Sequence, residues 1–137
     1  MIKNYRSGHD VQVAVEDALN FHRGRKMAIN RWDLVRKVFG EEAVTEETQN
    51  DENPFDRRVR DAIEVLRFEK KLHVCNMGDG KGYFIAATRE EWEAFKTYYL
   101  GPQTKKYMTV KILDEKADEY WGPVMKPVPQ GQTVMQL

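Results

Sequence analysis

A mostly α-helical fold carrying one β-hairpin, an added C-terminal helix and a mobile tail is what the sequence predicts, from three observations. Apolar residues recur at steps of three and four in several separate stretches. Two β-rich runs flank an Asp-Gly turn. The last sixteen positions, 122–137, hold Pro123, Pro127 and Pro129 and show no apolar period. The chain has 137 residues, 41% hydrophobic and 11% aromatic, enough for the core of one domain with an appendage.

The elements follow in order. Asp10 opens a first helix, with Val11, Val15, Ala18, Leu19 and His22 at helical spacing and Gly24 as its stop. Met27-Ala28-Ile29 is a short apolar, extended piece. Asn30 is a good N-cap for a second helix, whose Trp32, Leu34, Val35, Val38 and Phe39 run up to Gly40. Residues from Glu41 to Pro54 are polar, acidic and without a period, long enough to be either functional or a mobile linker. The third helix is expected from about Asp56 to Lys71, burying Val59, Ala62, Ile63 and Leu66. Arg57, Arg60, Asp61, Glu64, Arg67 and Lys71 share much of its other face. Leu72–Asn76 and Gly82–Ala86 form the hairpin. Thr88-Arg89-Glu90-Glu91 has the spacing of a capping box and starts a helix with Trp92, Phe95 and Tyr99. Gly101-Pro102 is expected to break or kink it, dividing the chain into a domain over 1–100, a C-terminal helix over 101–121 and the tail.

The charge is balanced overall, with 22 Lys+Arg and 22 Asp+Glu, but it is segregated along the chain. Residues 1–40 and 57–81 are net basic. Between them Glu41, Glu42, Glu46, Glu47, Asp51, Glu52 and Asp56 occur without a single Lys or Arg. Such blocks point to an interaction surface or to a solvated linker. A globally basic nucleic-acid coat is excluded; a local basic patch is not. The single cysteine, Cys75, excludes an intrachain disulfide and a Cys-rich zinc site. No apolar run approaches a membrane span, and Met1–Arg6 has no apolar signal core. The expectation is a soluble protein of a reducing compartment, the cytoplasm.

Enzyme motifs fail on inspection. Gly78-Asp79-Gly80-Lys81-Gly82 lacks the Ser or Thr after Lys, and the following helix, that a phosphate-binding loop needs. His9, His22, His73 and Cys75 show no zinc spacing, and Cys75 reads as core. No nucleophile–base arrangement is readable, and Glu90, Glu91 and Glu93 suit the first turn of any helix. Neither enzymatic activity nor a cofactor is expected. Trp92, Phe95, Tyr98 and Tyr99 could stack on nucleic-acid bases, but their helical spacing suits a core or an interface. Val134, Met135 and Leu137 could be a short partner-binding motif or a disordered end.

Helix, extended piece, helix, loop, basic helix, hairpin and helix is the order of a winged helix-turn-helix. The stretch Asp56-Arg57-Arg58-Val59-Arg60-Asp61-Ala62-Ile63-Glu64-Val65-Leu66-Arg67, followed by Leu72-His73-Val74-Cys75 and Gly80-Lys81-Gly82-Tyr83-Phe84-Ile85-Ala86, resembles the small winged-helix proteins common in bacteriophage genomes. The resemblance covers roughly residues 10–100. It implies that residues 56–71 are a recognition helix and 72–86 a wing, in a phage-encoded protein of the bacterial host cytoplasm that acts on transcription or replication. Double-stranded DNA is then the expected partner. Arg57, Arg58 and Arg60 would reach base edges or phosphates, with Arg67, Lys70, Lys71 and Lys81 on phosphates. The acidic block beside that helix departs from the pattern. It raises the other expectation, a protein-interaction module that binds and modulates a host enzyme. Tyr107, Val110, Leu113, Ala117 and Tyr120 lie on one helical stripe, expected to pair with the same helix of a second chain. Such a dimer would set two recognition helices ~34 Å apart on a palindromic site.

Overall fold

In the computed structural model, which describes residues 1–123, the chain divides into two compact units, Met1–Tyr99 and Leu100–Leu137. The first contains α1 (Gly8–Leu19), a 3-10 turn (Arg25–Met27), α2 (Arg31–Phe39), a second 3-10 turn (Glu41–Ala43), α3 (Pro54–Glu69), β1 (Val74–Asn76) and β2 (Tyr83–Ile85). α4 (Arg89–Trp121) begins in the first unit and supplies the helix of the second.

Local chemistry sets the helix starts. Ser7 accepts from the Asp10 N–H at the head of α1, and Asn30 accepts from Trp32 and Asp33 at the head of α2. Asn53 does the same for Phe55 and Asp56 of α3, with Pro54 in the first turn. Asn53 is itself buried, and its amide donates to the carbonyls of Ala43 and Thr48, both at 2.9 Å. One side chain thus caps α3 and pins the acidic loop to it. α3 ends at Glu69, slightly short of the expected Lys71, because Lys71 takes a left-handed φ of 56° and the Leu72 N–H turns back to the Leu66 carbonyl at 3.1 Å.

β1 and β2 pair antiparallel in the register Val74↔Ile85, Cys75↔Phe84 and Asn76↔Tyr83. The extended piece before α2 joins the other edge of β2: Ile29 and Tyr83 exchange two N–H···O bonds of 2.8 Å. Gly82 permits that approach, since a Cβ there, at φ +99°, would lie 1.9 Å from the Ile29 carbonyl oxygen. β2 is therefore the central segment, and alternation sends its side chains to two cores. Val74, Tyr83 and Ile85 join Val15, Leu34, Phe39, Val59, Ile63 and Leu66 between the helices. Cys75 and Phe84 turn the other way, against Phe95 and Trp92 of α4.

Two expectations need correction. The acidic stretch is not entirely a loop: a 3-10 turn spans Glu41–Ala43, and Ala43 and Val44 are buried; Asp56, expected at the start of the third helix, lies in its first turn and is 0% exposed. The break at Gly101-Pro102 does not occur, and α4 continues through Pro102. Proline removes one N–H, but Tyr98 is 48% exposed, so the carbonyl deprived of its partner can take water. The expected tail lies outside the described residues apart from Gly122 and Pro123, as do Val134, Met135 and Leu137.

Candidate nucleic-acid interface

α3 does not present its arginines as a row. Its helical pitch puts Arg57, Asp61, Glu64 and Phe68 on the most outward ridge, and all four are exposed. Arg58 and Arg60 fall on opposite flanks. Arg58 is half-buried, with its guanidinium 5.0 Å from the Phe39 ring centre. Arg60 turns back along the helix, donating from Nε to Asp56 Oδ2 at 2.9 Å. Arg57 meets no carboxylate among the described residues.

The cations at the far end of α3 are engaged in holding the fold. Arg67 donates from Nε to the Val74 carbonyl at 3.0 Å and from Nη1 to Glu64 at 2.6 Å, and lies 5.5 Å from the Phe95 ring centre. It ties α3 to β1 and to α4. Lys70 pairs with Glu16 of α1 at 3.1 Å, and Lys71 donates to the Phe68 carbonyl at 2.7 Å. Lys81 stays exposed at the hairpin turn. Its backbone N–H donates to Asp79 Oδ1 at 3.0 Å, and that bond is the main reason the Asp79 carboxyl lies below its ordinary pKa, with Arg25 at 3.1 Å adding to it.

The strongest electrostatic feature was not visible in the sequence. Asp56, fully buried, accepts Arg31 Nε at 2.8 Å and Arg31 Nη2 at 2.6 Å, a two-bond fork, as well as Arg60 Nε. The hydrogen bond to Asp56 is the largest cause raising the Arg31 pKa. Arg31 Nη2 also reaches Asp51 Oδ1 at 2.9 Å. Arg31 opens α2 and Asp56 sits in the first turn of α3, so only the packing of the two helices brings them together. Arg31, Arg57 and Arg60 converge on one depression bounded by Asn76 and Tyr83 of the hairpin.

A second group of cations, Arg25, Lys26 and Lys81, stands beside the hairpin turn around a shallow depression that Asp33 and Glu91 also line, with Arg25 paired to Asp79. Glu91 organises it from behind, accepting from the Arg25 N–H at 2.9 Å and the Ala87 N–H at 2.8 Å. Those two bonds, Arg25 first, hold the Glu91 carboxyl below its usual range. Cys75 is buried, and desolvation pushes its thiol up to about 11, so it is a packing residue without thiolate reactivity. Among the described residues no group of His, Cys, Asp and Glu is gathered to hold a metal ion, and no helix is long and apolar enough to cross a membrane.

In the second unit the expected stripe is open. Tyr107, Val110, Leu113 and Tyr120 are 58–68% exposed and Ala117 is half-buried. Met108, Ile112 and Trp121 are exposed as well, off that stripe or at its edge. Comparison with protein-family profiles, with curated proteins and with solved structures finds no match for this chain.

Proposed function

We propose that the first unit is a winged helix-turn-helix that binds double-stranded DNA, with α3 as the recognition helix and the hairpin as the wing. The observation that carries this reading is the ladder Ile29–β2–β1. It fixes the helix pair α2–α3 against the hairpin, so that the start of α3 and the hairpin turn can approach one duplex. A helix of ~10–12 Å diameter fits the major groove. The contact set is narrower than the sequence suggests. Arg57 and Lys81 are free to meet DNA, and Lys26 joins them beside the turn, while Arg25 is paired with Asp79. Arg58, Arg67 and Lys70 act mainly within the fold. Contacts of this kind position the protein on phosphates more than they read bases. A phage origin and a role in transcription or replication belong to the same proposal, as does a two-fold dimer through the Val110/Leu113/Ala117/Tyr120 stripe.

A gel-shift titration tests it. The double variant Arg57→Ala/Lys81→Ala should lose DNA affinity with its fold intact, and its slope of log K against log salt should flatten by about 0.9 per lost phosphate contact. Unchanged affinity would remove the DNA reading. A protein-interaction module for a host enzyme is the second reading, favoured by the acids Asp61 and Glu64 beside Phe68, which is 79% exposed on the same ridge. Phe68→Ala would then abolish capture of the partner and leave DNA binding alone.

A further inference from the structure

We propose that Arg31, Arg57 and Arg60 form a subsite for a backbone phosphate of double-stranded DNA, and that the Asp51 carboxylate occupies this subsite when DNA is absent. The proposal rests on the DNA reading above and adds a binding residue, Arg31, and a built-in competitor.

Three observations carry it. First, two of the guanidinium groups are preorganised. Buried Asp56 clamps Arg31 through Nε and Nη2 and Arg60 through Nε. Both residues line the depression that Arg57 also borders, and Asp56 takes only part of the N–H donors that each guanidinium carries. An arginine held in place loses little freedom when it takes an anion, and its planar fork matches phosphate oxygens. Second, an anion already sits there. Asp51 Oδ1 lies 2.9 Å from Arg31 Nη2, and Arg60 Nη2 points to the Asp51 backbone carbonyl at 3.4 Å. Third, that anion is lightly held. The Asp51 side chain is 88% exposed, and Arg31 is its one cationic partner among the described residues. Exposed pairs of this kind are weak, so a phosphate presented by a duplex can displace the carboxylate. Asp61 also borders the depression, exposed and without a cation. With Asp51 in place the acids offset the three arginines; with Asp51 displaced the balance turns positive.

The geometry gives the acidic loop a definite role. Its last turn delivers Asp51 to the arginines because Asn53, two residues on, is fixed by its bonds to Ala43 and Thr48. The loop thus weakens DNA binding at one named contact, beyond any general repulsion.

The test compares the full chain with Asp51→Asn and Glu52→Gln. Both changes remove one negative charge from exposed neighbours, but Glu52 touches no arginine among the described residues. Neither residue is buried, so both variants should fold, which circular dichroism checks. Binding of a labelled duplex is followed by anisotropy at about 50 and 200 mM salt. Asp51→Asn should bind about two- to fivefold tighter than the unaltered chain, the factor expected from removing one exposed ion pair, with Glu52→Gln closer to unaltered. In parallel, inorganic phosphate is titrated while the Arg31 Nε–H resonance is observed by NMR. It should move at lower phosphate concentration in Asp51→Asn. If the unaltered chain binds DNA and Asp51→Asn gains no more than Glu52→Gln, the subsite is overturned and the DNA reading stands. If no variant binds the duplex, the DNA reading fails, and the proposal with it. A shift of Arg31 with inorganic phosphate would then mark a site for free phosphate instead.

Discussion

The two units use helical periodicity in opposite ways. In Met1–Tyr99 the core-facing stripes of α1, α2 and α3 are almost fully buried, with Val15, Leu34, Val35 and Phe39 all 0% exposed, while Phe68 on the outer ridge of α3 is not. In the described part of Leu100–Leu137, Val110, Ile112 and Leu113 are 58%, 59% and 62% exposed. The same spacing of apolar residues therefore leads to a core where other elements close over it, and to an open surface where, among the described residues, none does. This stretch extends α4 out of the first unit, where the helix is already nucleated. Turn-to-turn pairs such as Lys116–Glu119 at 3.6 Å add a little to it.

The largest expected effect separates the two leucines. Leu66→Ala should cost about 2–5 kcal/mol in urea unfolding, because Leu66 is 1% exposed and the cavity cannot collapse fully. Leu113→Ala, measured at low protein concentration where any dimer has dissociated, should change stability by no more than about 0.5 kcal/mol. Equal losses would break the comparison, showing that Leu113 is covered within one chain. Leu113→Glu sharpens it: if the stripe pairs two copies, sedimentation equilibrium should shift from dimer to a 16.1 kDa monomer. A chain that sediments as a monomer throughout would exclude the self-pairing.

The next effect belongs to the first unit and depends on pH. Glu91 has its carboxyl pKa depressed in the folded state by the Arg25 and Ala87 N–H groups. Its contribution is therefore present above the unfolded value of about 4.3 and is lost as pH falls through the lower folded value. Glu91→Gln should be less stable than the unaltered chain at neutral pH, and the two should converge as the solution is acidified below about pH 4. A gap that stays constant with pH would show that the ionised carboxylate is not what ties the Arg25 turn to α4. The part of α4 beyond Tyr99, far along the helix from Glu91, should show no such dependence.

The smallest effect sits at the end of α3. Lys71 holds a left-handed φ of 56° that glycine adopts without cost, and among the described residues its side chain bonds only to the Phe68 carbonyl, at an exposed position. Lys71→Gly should stabilise the first unit by about 0.5–1 kcal/mol in thermal unfolding. A loss of stability would mean that the lysine side chain contributes more to the helix end than its backbone strain removes.

Much of the fold was legible from local chemistry. Asn30 and Gly40 bracket α2 where their cap preferences place them, and the Val59/Ala62/Ile63/Leu66 stripe is the buried face of α3. Gly78–Gly82 lies in the connection of a hairpin, as its residue types indicate. At Pro102, where the sequence predicts a break or a kink, the break does not occur, because an exposed setting lets water satisfy the freed carbonyl. The candidate site was less legible. Residue type alone could not separate Arg57, which is free, from Arg67, which is spent on Val74 and Glu64, since both look alike along the chain.

What the sequence determined by itself is what depends on neighbours a few residues apart: the caps, the helical stripes, the two strands and their turn, and the segregation of charge. What tertiary structure decided is which charges meet. Arg31 and Asp56 are 25 positions apart, and no periodicity links them. They become a buried fork because α2 and α3 share a core, and a carboxylate removed from water is tolerated only with its partners close. That requirement, imposed by burial, turns one arginine of α2 and one of α3 into a fixed pair beneath Asp51.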